Sequence, residues 1–266
     1  MLFEDIIYGP IHSRRLGLSL GVNLMPRHGK LCTFDCIYCE CGFNGNQMAE
    51  RLCTVEELSE ALEGKLKQMS ADGVKPDVIT FSGNGEPTLH PDFEAIITET
   101  CRLRDMYCPS AKVSVLSNST QLFRADVLRA LMMADNRILK LDSAVTGTMR
   151  LIDQPVNTEL TAGRLIELLG QLNGDFTLQT CFLRGDVFFA NPARKGEYIL
   201  GHVDNTTIAE LSAWYDAVEK LHPKEIMMYV IDRKTPVETL EKISAEEMQT
   251  IAAPLIEKGF NVQVTA

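Results

Sequence analysis

The sequence predicts an α/β fold, a partial (β/α)6 barrel in which parallel strands form an open, TIM-like arrangement. Stretches with strand and helix patterns alternate along the chain, which is typical of parallel strands joined by helical crossovers. From residues 16–25 to residues 225–231 we count six strand–helix units, two fewer than a closed eight-unit barrel contains. A doubly wound sheet would also fit this alternation. The length of 266 residues is close to that of one α/β barrel and favours a single domain.

The elements follow in order from local patterns. Apolar residues at period two between Leu16 and Leu24 indicate the first strand. Thr54 and Glu57 form a capping box, and the apolar residues after them recur at helical spacing. Pro254 lies inside the last helical pattern and predicts a break or kink there. The remaining strands are predicted at 77–81, 112–117, 137–142, 176–184, 225–231 and 261–264, and the remaining helices at 91–101, 125–132, 162–172, 207–221 and 245–259.

Composition excludes several classes of protein. Hydrophobic residues make up 45% of the chain and charged residues 23%, as in a globular protein, and no apolar run approaches the roughly 20 residues of a membrane helix. The formal charge of −10 argues against a broad nucleic-acid footprint, although a local basic groove stays open. The N-terminus lacks the features of a secretory signal, so we expect a cytoplasmic protein.

We expect one domain over residues 1–266. Its parts are an N-terminal lead-in (1–15), a cysteine loop (30–45) and a C-terminal helix with a short strand (235–266).

Four of the eight cysteines lie in one short stretch, CTFDCIYCECG, at Cys32, Cys36, Cys39 and Cys41. In a reducing compartment such cysteines are ligands or buried thiols more often than disulfides. Four ligands would suit a closed zinc site or an electron-transfer iron–sulfur cluster. Cys39 and Cys41 are only two apart, however, which is an awkward bite for one site. The C-x3-C-x2-C set of Cys32, Cys36 and Cys39 has no such difficulty.

This three-cysteine loop, with Tyr38 just before its last cysteine, resembles the signature of radical S-adenosylmethionine (radical SAM) enzymes. The resemblance implies that three cysteinates bind three irons of a 4Fe-4S cluster, while S-adenosylmethionine chelates the fourth iron. It further implies that the reduced cluster cleaves S-adenosylmethionine to a 5′-deoxyadenosyl radical, which abstracts hydrogen from a substrate.

Further residues enter through the same resemblance. The run Gly83, Asn84, Gly85 and Glu86 is similar to the family's glycine-rich motif, which holds the amino group of S-adenosylmethionine. The commonest form of that motif reads Gly-Gly-Glu-Pro, and Asn84 is an insertion here. The resemblance places Ser117, Asn118 and Asp142 near the ribose and methionyl part of the cofactor, and Lys140 nearer the substrate.

Two predicted strands also carry candidate residues, which are identified by their spacing along the strand. Lys140 and Asp142 are two apart and share one strand face, where a charged pair inside a barrel would be functional. Gln179 shares a face with Cys181 and could face the cavity. Gln179 therefore joins the predicted cofactor-binding residues, and Tyr38 joins them through its position in the loop that resembles the radical SAM signature.

Several stretches together resemble the wyosine-synthesis-like branch of this superfamily. Its tRNA-modifying members carry further cysteines ahead of the triad for a second cluster, whereas here no cysteine precedes Cys32. With the acidic charge, this argues against tRNA and against nucleic acid generally. An activase of a glycyl radical enzyme stays open, as does a non-catalytic four-cysteine iron–sulfur or zinc protein. The expected partners are an electron donor such as flavodoxin or ferredoxin and a small-molecule, peptide or protein substrate.

Two basic stretches are weaker candidates. Arg14 and Arg15, ahead of the first strand, could bind a carboxylate or phosphate as a guanidinium pair. Asp232, Arg233 and Lys234 follow the sixth strand and are candidates for contacting adenine or substrate.

Overall fold

The computed structural model describes residues 2–13, 15–45, 51–190 and 198–266, so Arg14 lies outside the described residues. By compactness the chain divides into two units. The N-terminal unit comprises Met1–Thr33 and Asn44–Leu139, and the C-terminal unit comprises Phe34–Phe43 and Lys140–Ala266. The single domain stays a prediction.

The N-terminal unit is a parallel sheet with one antiparallel strand at its edge. β1 pairs antiparallel with β2, while β2, β3, β4 and β5 pair in that order and in parallel. Because these four strands are parallel, their carboxyl ends share one edge, from which the loops beginning at Asn23, Ser82 and Asn118 emerge. The elements are β1 (Ile7–Ser13), β2 (Gly17–Val22), α1 (Val55–Ala71), β3 (Val78–Phe81), α2 (Phe93–Tyr107), β4 (Lys112–Ser117), α3 (Ala125–Met133) and β5 (Asn136–Lys140).

The C-terminal unit contains parallel strands extended by antiparallel ones. β6, β8 and β10 pair in parallel, and β7 and β9 pair antiparallel with β6 beyond the region that contacts β8. Its core packs Trp214 edge-on against Phe182 with ring centroids 5.1 Å apart, and the indole N–H donates to the hydroxyl of Thr180 at 3.0 Å. The elements are α4 (Thr146–Asp153), α5 (Ala162–Gly170), β6 (Thr177–Ala190), β7 (Tyr198–Asp204), α6 (Ile208–Leu221), β8 (Glu225–Val230), β9 (Leu240–Lys242), α7 (Ala245–Glu257) and β10 (Val262–Thr265).

The predicted fold class is confirmed: the chain is α/β with mostly parallel strands in an open, unclosed arrangement. The seven predicted strands correspond to β2, β3, β4, β5, β6, β8 and β10. The capping box of Thr54 and Glu57 begins α1 as predicted. The sequence analysis did not identify β1, β7, β9 and α4.

The predicted break at Pro254 is wrong, because α7 continues through it to Glu257. A proline removes one helical N–H, but buried Met248, Ile251 and Leu255 pack this helix onto its own unit. Within the described part of the chain, no helix combines the length and apolar character needed to cross a bilayer.

Candidate cofactor site

The predicted site residues fall on both units, and each unit is described by itself. In the N-terminal unit, the glycine-rich turn after β3 lies against the chain that leads into Cys32. The N–H of Leu31 donates to the carbonyl of Asn84 at 2.9 Å, and the N–H of Glu86 donates to the carbonyl of Leu31 at 3.0 Å. A Cβ on Gly85, whose φ is +144°, would lie 1.8 Å from the Leu31 carbonyl oxygen. Gly85 therefore permits a close approach by the protein's own backbone, not only by a ligand.

Asn84, which lies between the two glycines of this turn, is fully buried. Its amide nitrogen donates to the carbonyls of Phe3 and Pro26, both at 2.8 Å, and its amide oxygen accepts from the N–H of Phe3 at 2.8 Å. The side chain thus joins the N-terminal lead-in to the turn. Its predicted contact with a cofactor stays a prediction.

Glu86 and Asn118 connect the next two strand ends. The buried carboxylate of Glu86 accepts from the backbone N–H of Asn118 at 2.7 Å and from the hydroxyl of Thr88. Burial raises the pKa of Glu86 above its usual value, and the hydrogen bonds from Asn118 and Thr88 oppose this. The side-chain amide of Asn118 donates to the hydroxyl of Thr33 at 2.8 Å and to the sulfur of Cys32 at 3.5 Å. A predicted cofactor residue therefore contacts a predicted cluster ligand.

Ser117, the remaining predicted residue of this unit, is buried at the end of β4. Its hydroxyl accepts the backbone N–H of Ser119 at 3.1 Å. This bond shapes the turn that follows the strand.

In the C-terminal unit, Lys140 lies beside Cys36 and two carboxylates. Its ammonium nitrogen is 3.3 Å from the sulfur of Cys36, 3.6 Å from Asp142 and 4.0 Å from Asp153. The thiol of Cys36 donates to Asp153 at 3.4 Å. Burial lowers the pKa of Lys140, but negative charge on Cys36 and Asp142 outweighs this and raises it well above the usual value. Burial, followed by the charge of Asp142, raises the pKa of Asp153 well above its usual range.

Asp142 is held in one orientation by hydrogen bonds. Its carboxylate accepts the backbone N–H of Cys181 at 2.9 Å and the hydroxyl of Tyr38. The hydroxyl of Tyr229 donates to that of Tyr38 at 3.5 Å, and the Lys140 ammonium lies 4.7 Å from the Tyr38 ring centroid. Burial and the charge of Asp142 raise the pKa of Tyr38, so its phenol stays a proton donor. The structure thus brings together Tyr38, Lys140 and Asp142, and their roles at a cofactor or substrate stay predictions.

Gln179, on β6, is 7% exposed. Its amide nitrogen is buried and has no hydrogen-bond partner among the described residues. Buried amide donors are nearly always satisfied, so this one indicates an acceptor that the described residues do not supply. A carboxylate or carbonyl of a bound molecule has the required chemistry.

Each predicted cluster ligand can be assessed on its own unit. Cys36 is buried, Cys32 and Cys39 are partly exposed, and all eight cysteines, every one within the described residues, are outside disulfides. Among the residues described, no three His, Cys, Asp or Glu side chains form a site suited to one metal ion. A 4Fe-4S cluster does not require such a site, because each cysteine binds a different iron. Side-chain N–H donors at Cys32 and Cys36 match the stabilisation that thiolate ligands need, so the donor set fits the cluster.

Two residues near the site were missed by sequence reasoning. Asp153 ends α4, a helix that was not predicted, and its partner Cys36 is 117 positions away. Tyr229 lies on a correctly predicted strand, and only the packing shows that its hydroxyl contacts Tyr38.

The contacts of the described residues assign no function to the weaker candidates in the two basic stretches or to one cavity. Arg233 forms an exposed ion pair with Glu40 at 2.6 Å, and Lys234 forms one with Glu238 at 2.7 Å, so their role at a substrate stays a prediction. A cavity of about 250 Å³ in the N-terminal unit is lined by none of the predicted site residues. Arg15, the described member of the predicted arginine pair, is partly buried ahead of β2.

No protein-family model matches the chain. Among curated proteins, the chain is 29% identical over 246 residues to GTPase Obg of Brachyspira hyodysenteriae, covering 91% of this chain and 32% of that protein. It is 32% identical to a UPF0026 protein of Methanocaldococcus jannaschii, covering 61% of this chain and 48% of the relative. A UPF0026 protein of Synechocystis sp. is 33% identical, covering 66% of this chain and 60% of the relative. The chain therefore spans less than two thirds of the length of each of these relatives.

Solved structures with a similar fold are radical SAM proteins. SuiB of Streptococcus suis bound to S-adenosylmethionine matches with a TM-score of 0.61 at 12% identity, covering 90% of this chain and 49% of that one. A radical SAM methyltransferase of Sphaerobacter thermophilus matches at 0.62 and 14% identity, covering 93% and 65%. TYW1 with a lysine-pyruvate adduct bound matches at 0.61 and 15% identity, covering 90% and 73%. The chain has the fold of radical SAM enzymes, so the predicted resemblance to that superfamily is confirmed at this level.

Proposed function

We propose that this chain is a radical SAM enzyme whose 4Fe-4S cluster is bound by Cys32, Cys36 and Cys39. The observation that carries the proposal is the pair of N–H donors at two of these sulfurs, from Asn118 at 3.5 Å and from Lys140 at 3.3 Å. The resemblance had placed Asn118 near the cofactor and Lys140 nearer the substrate. Surroundings that donate hydrogen bonds to sulfur favour thiolate ligands over ordinary buried thiols.

When bound, the cluster and S-adenosylmethionine would supply reductive cleavage of the sulfonium and a 5′-deoxyadenosyl radical for hydrogen abstraction. The residues of this chain bind, orient and shield. Gln179 offers a buried, unsatisfied amide donor to a carboxylate or carbonyl of the bound cofactor. Lys140 and the hydrogen-bonded Asp142 supply fixed charges of both signs. The substrate is a small molecule, peptide or protein, and the electron donor is a flavodoxin or ferredoxin in a cytoplasmic setting.

We do not propose GTPase activity for this chain. The name GTPase Obg describes a longer relative, and the chain matches 32% of that relative's length. The present sequence contains no G-x4-G-K-[S/T] run, the loop that holds nucleotide phosphates in P-loop GTPases.

A single experiment separates the proposal from a closed four-cysteine site. The protein is reconstituted anaerobically with iron and sulfide, reduced with dithionite and mixed with S-adenosylmethionine, and 5′-deoxyadenosine is measured by mass spectrometry. Cys36→Ala and Cys41→Ala are matched variants, because both delete one thiol from the same loop. We expect product and an intact cluster from the wild type and from Cys41→Ala, and neither from Cys36→Ala.

Loss of metal from Cys41→Ala would instead support the non-catalytic four-cysteine protein. Cluster assembly in the wild type with no binding of S-adenosylmethionine would also contradict the proposal. Binding without cleavage would direct attention to a substrate that must be present first.

A further inference from the structure

Lys140 has more close polar contacts than the pairing of its charge requires. The side chain of Lys140 is 16% exposed, and burying an ammonium is costly unless it is paired. One carboxylate would be enough for pairing, yet the nitrogen lies nearer to the sulfur of Cys36, at 3.3 Å, than to Asp142 at 3.6 Å or Asp153 at 4.0 Å. The ammonium is therefore a direct hydrogen-bond donor to a signature cysteine.

This donor is held in position by its neighbours. Lys140 ends β5, its nitrogen lies 4.7 Å from the centroid of the Tyr38 ring, and Asp142 is fixed by the N–H of Cys181 at 2.9 Å. The carboxylate of Asp153 lies 4.0 Å from the same ammonium. The N–H···S geometry is thus set by packing on several sides and not by one flexible side chain alone.

A positive donor at a ligand sulfur acts differently on the two oxidation states of a cluster. Reduction adds one electron and no proton, so the cluster and its cysteinates become more negative by one charge. A nearby ammonium stabilises the more negative state more strongly, and hydrogen bonds to cluster sulfurs raise the reduction potential.

We propose that Lys140 is a positioning residue that raises the reduction potential of the cluster through its hydrogen bond to Cys36, which brings the cluster within reach of its electron donor. This inference rests on the proposed function. It assigns to Lys140 a role at the cluster instead of the predicted role near the substrate.

The test compares Lys140→Met, which has similar length but no donor or charge, with Lys140→Arg, which keeps both. Lys242→Met is the control, because it makes the same change in net charge at an exposed site on β9. Each protein is reconstituted anaerobically, its iron and sulfide are counted, and the cluster is titrated with dithionite while its electron paramagnetic resonance signal is followed. S-adenosylmethionine is left out, so no activity is needed.

We expect the equilibrium constant for reduction to fall at least tenfold in Lys140→Met, which is 59 mV for one electron. Lys140→Arg should recover most of this change, and Lys242→Met should equal the wild type. A Lys140→Met cluster that is fully loaded and has the wild-type potential would overturn the inference while leaving the proposed function intact. A wild type that binds no 4Fe-4S cluster would overturn the proposed function.

If Lys140→Met does not load iron, Lys140→Leu, which also lacks a donor and a charge, takes its place under the same criterion. Loss of the cluster from all three substitutions would show a structural role and would also overturn the inference.

Discussion

Replacing Asn84 with alanine tests how the N-terminal lead-in is attached to the glycine-rich turn. The side chain makes three hydrogen bonds of 2.8 Å, two with Phe3 and one with Pro26, and it is fully buried. At about 1 kcal/mol net for each bond, their loss should lower the free energy of unfolding by about 3 kcal/mol. The carbonyl of Phe3 keeps a second donor, the amide of Asn23 at 3.2 Å, whereas the carbonyl of Pro26 loses its bond from Asn84.

Asn84→Asp sharpens the test because it preserves the shape of the side chain. It keeps an acceptor for the N–H of Phe3 but faces the carbonyls of Phe3 and Pro26 with a carboxylate oxygen. The loss of stability should therefore be at least as large as in Asn84→Ala. Asn261→Ala is the matched control, because Asn261 is exposed and should change stability by no more than about 0.5 kcal/mol.

The assay is anaerobic denaturant unfolding followed by circular dichroism, combined with hydrogen exchange of the amide of Phe3. Exchange at Phe3 should accelerate in both Asn84 variants and stay at the wild-type rate in Asn261→Ala. A loss below about 1 kcal/mol in Asn84→Ala, with the Phe3 amide still protected, would refute this account of the lead-in.

Two further predictions concern the same unit. Gly85→Ala should destabilise the protein by at least about 3 kcal/mol or prevent folding, because the new Cβ would lie 1.8 Å from the Leu31 carbonyl oxygen. Gly64→Ala, at an exposed position of α1, should instead stabilise the protein by about 0.5–1 kcal/mol. Equal thermal unfolding midpoints for the two variants would contradict this prediction. Burial lowers the pKa of His90 below its ordinary value near 6.5, and its ring is bonded to the carbonyl of Cys53 at 2.9 Å and to a backbone N–H at 3.1 Å. The unfolded chain then binds more protons than the folded protein below about pH 6.5, so the free energy of unfolding should fall as the pH drops through that value. His90→Gln should weaken this pH dependence. If the unfolding midpoint changes equally between about pH 7.5 and about pH 5.5 in the wild type and in His90→Gln, the prediction is contradicted.

Sequence reasoning identified the candidate cluster cysteines because their pattern is local. Three positions in one loop define the C-x3-C-x2-C pattern, and the adjacent Tyr38 strengthens it. The pair Lys140 and Asp142 was also accessible, since residues two apart on a strand share a face. The bond from the amide of Asn84 to the carbonyl of Phe3, 81 positions earlier, was not accessible in this way, because nothing local indicates it.

The sequence by itself determined the α/β class, the order of the main strands and helices, and the candidate cluster ligands, because hydrophobic periodicity, caps and ligand spacing act over a few residues. Only the tertiary structure decided that Cys36 contacts Lys140 and Asp153, which lie 104 and 117 positions away. It also decided that β7 and β9 pair with β6 and that the amide nitrogen of Gln179 is buried with no hydrogen-bond partner in the described part of the chain. The physical reason is that burial and hydrogen-bond partners depend on how distant segments pack, and no short pattern in one segment specifies the other.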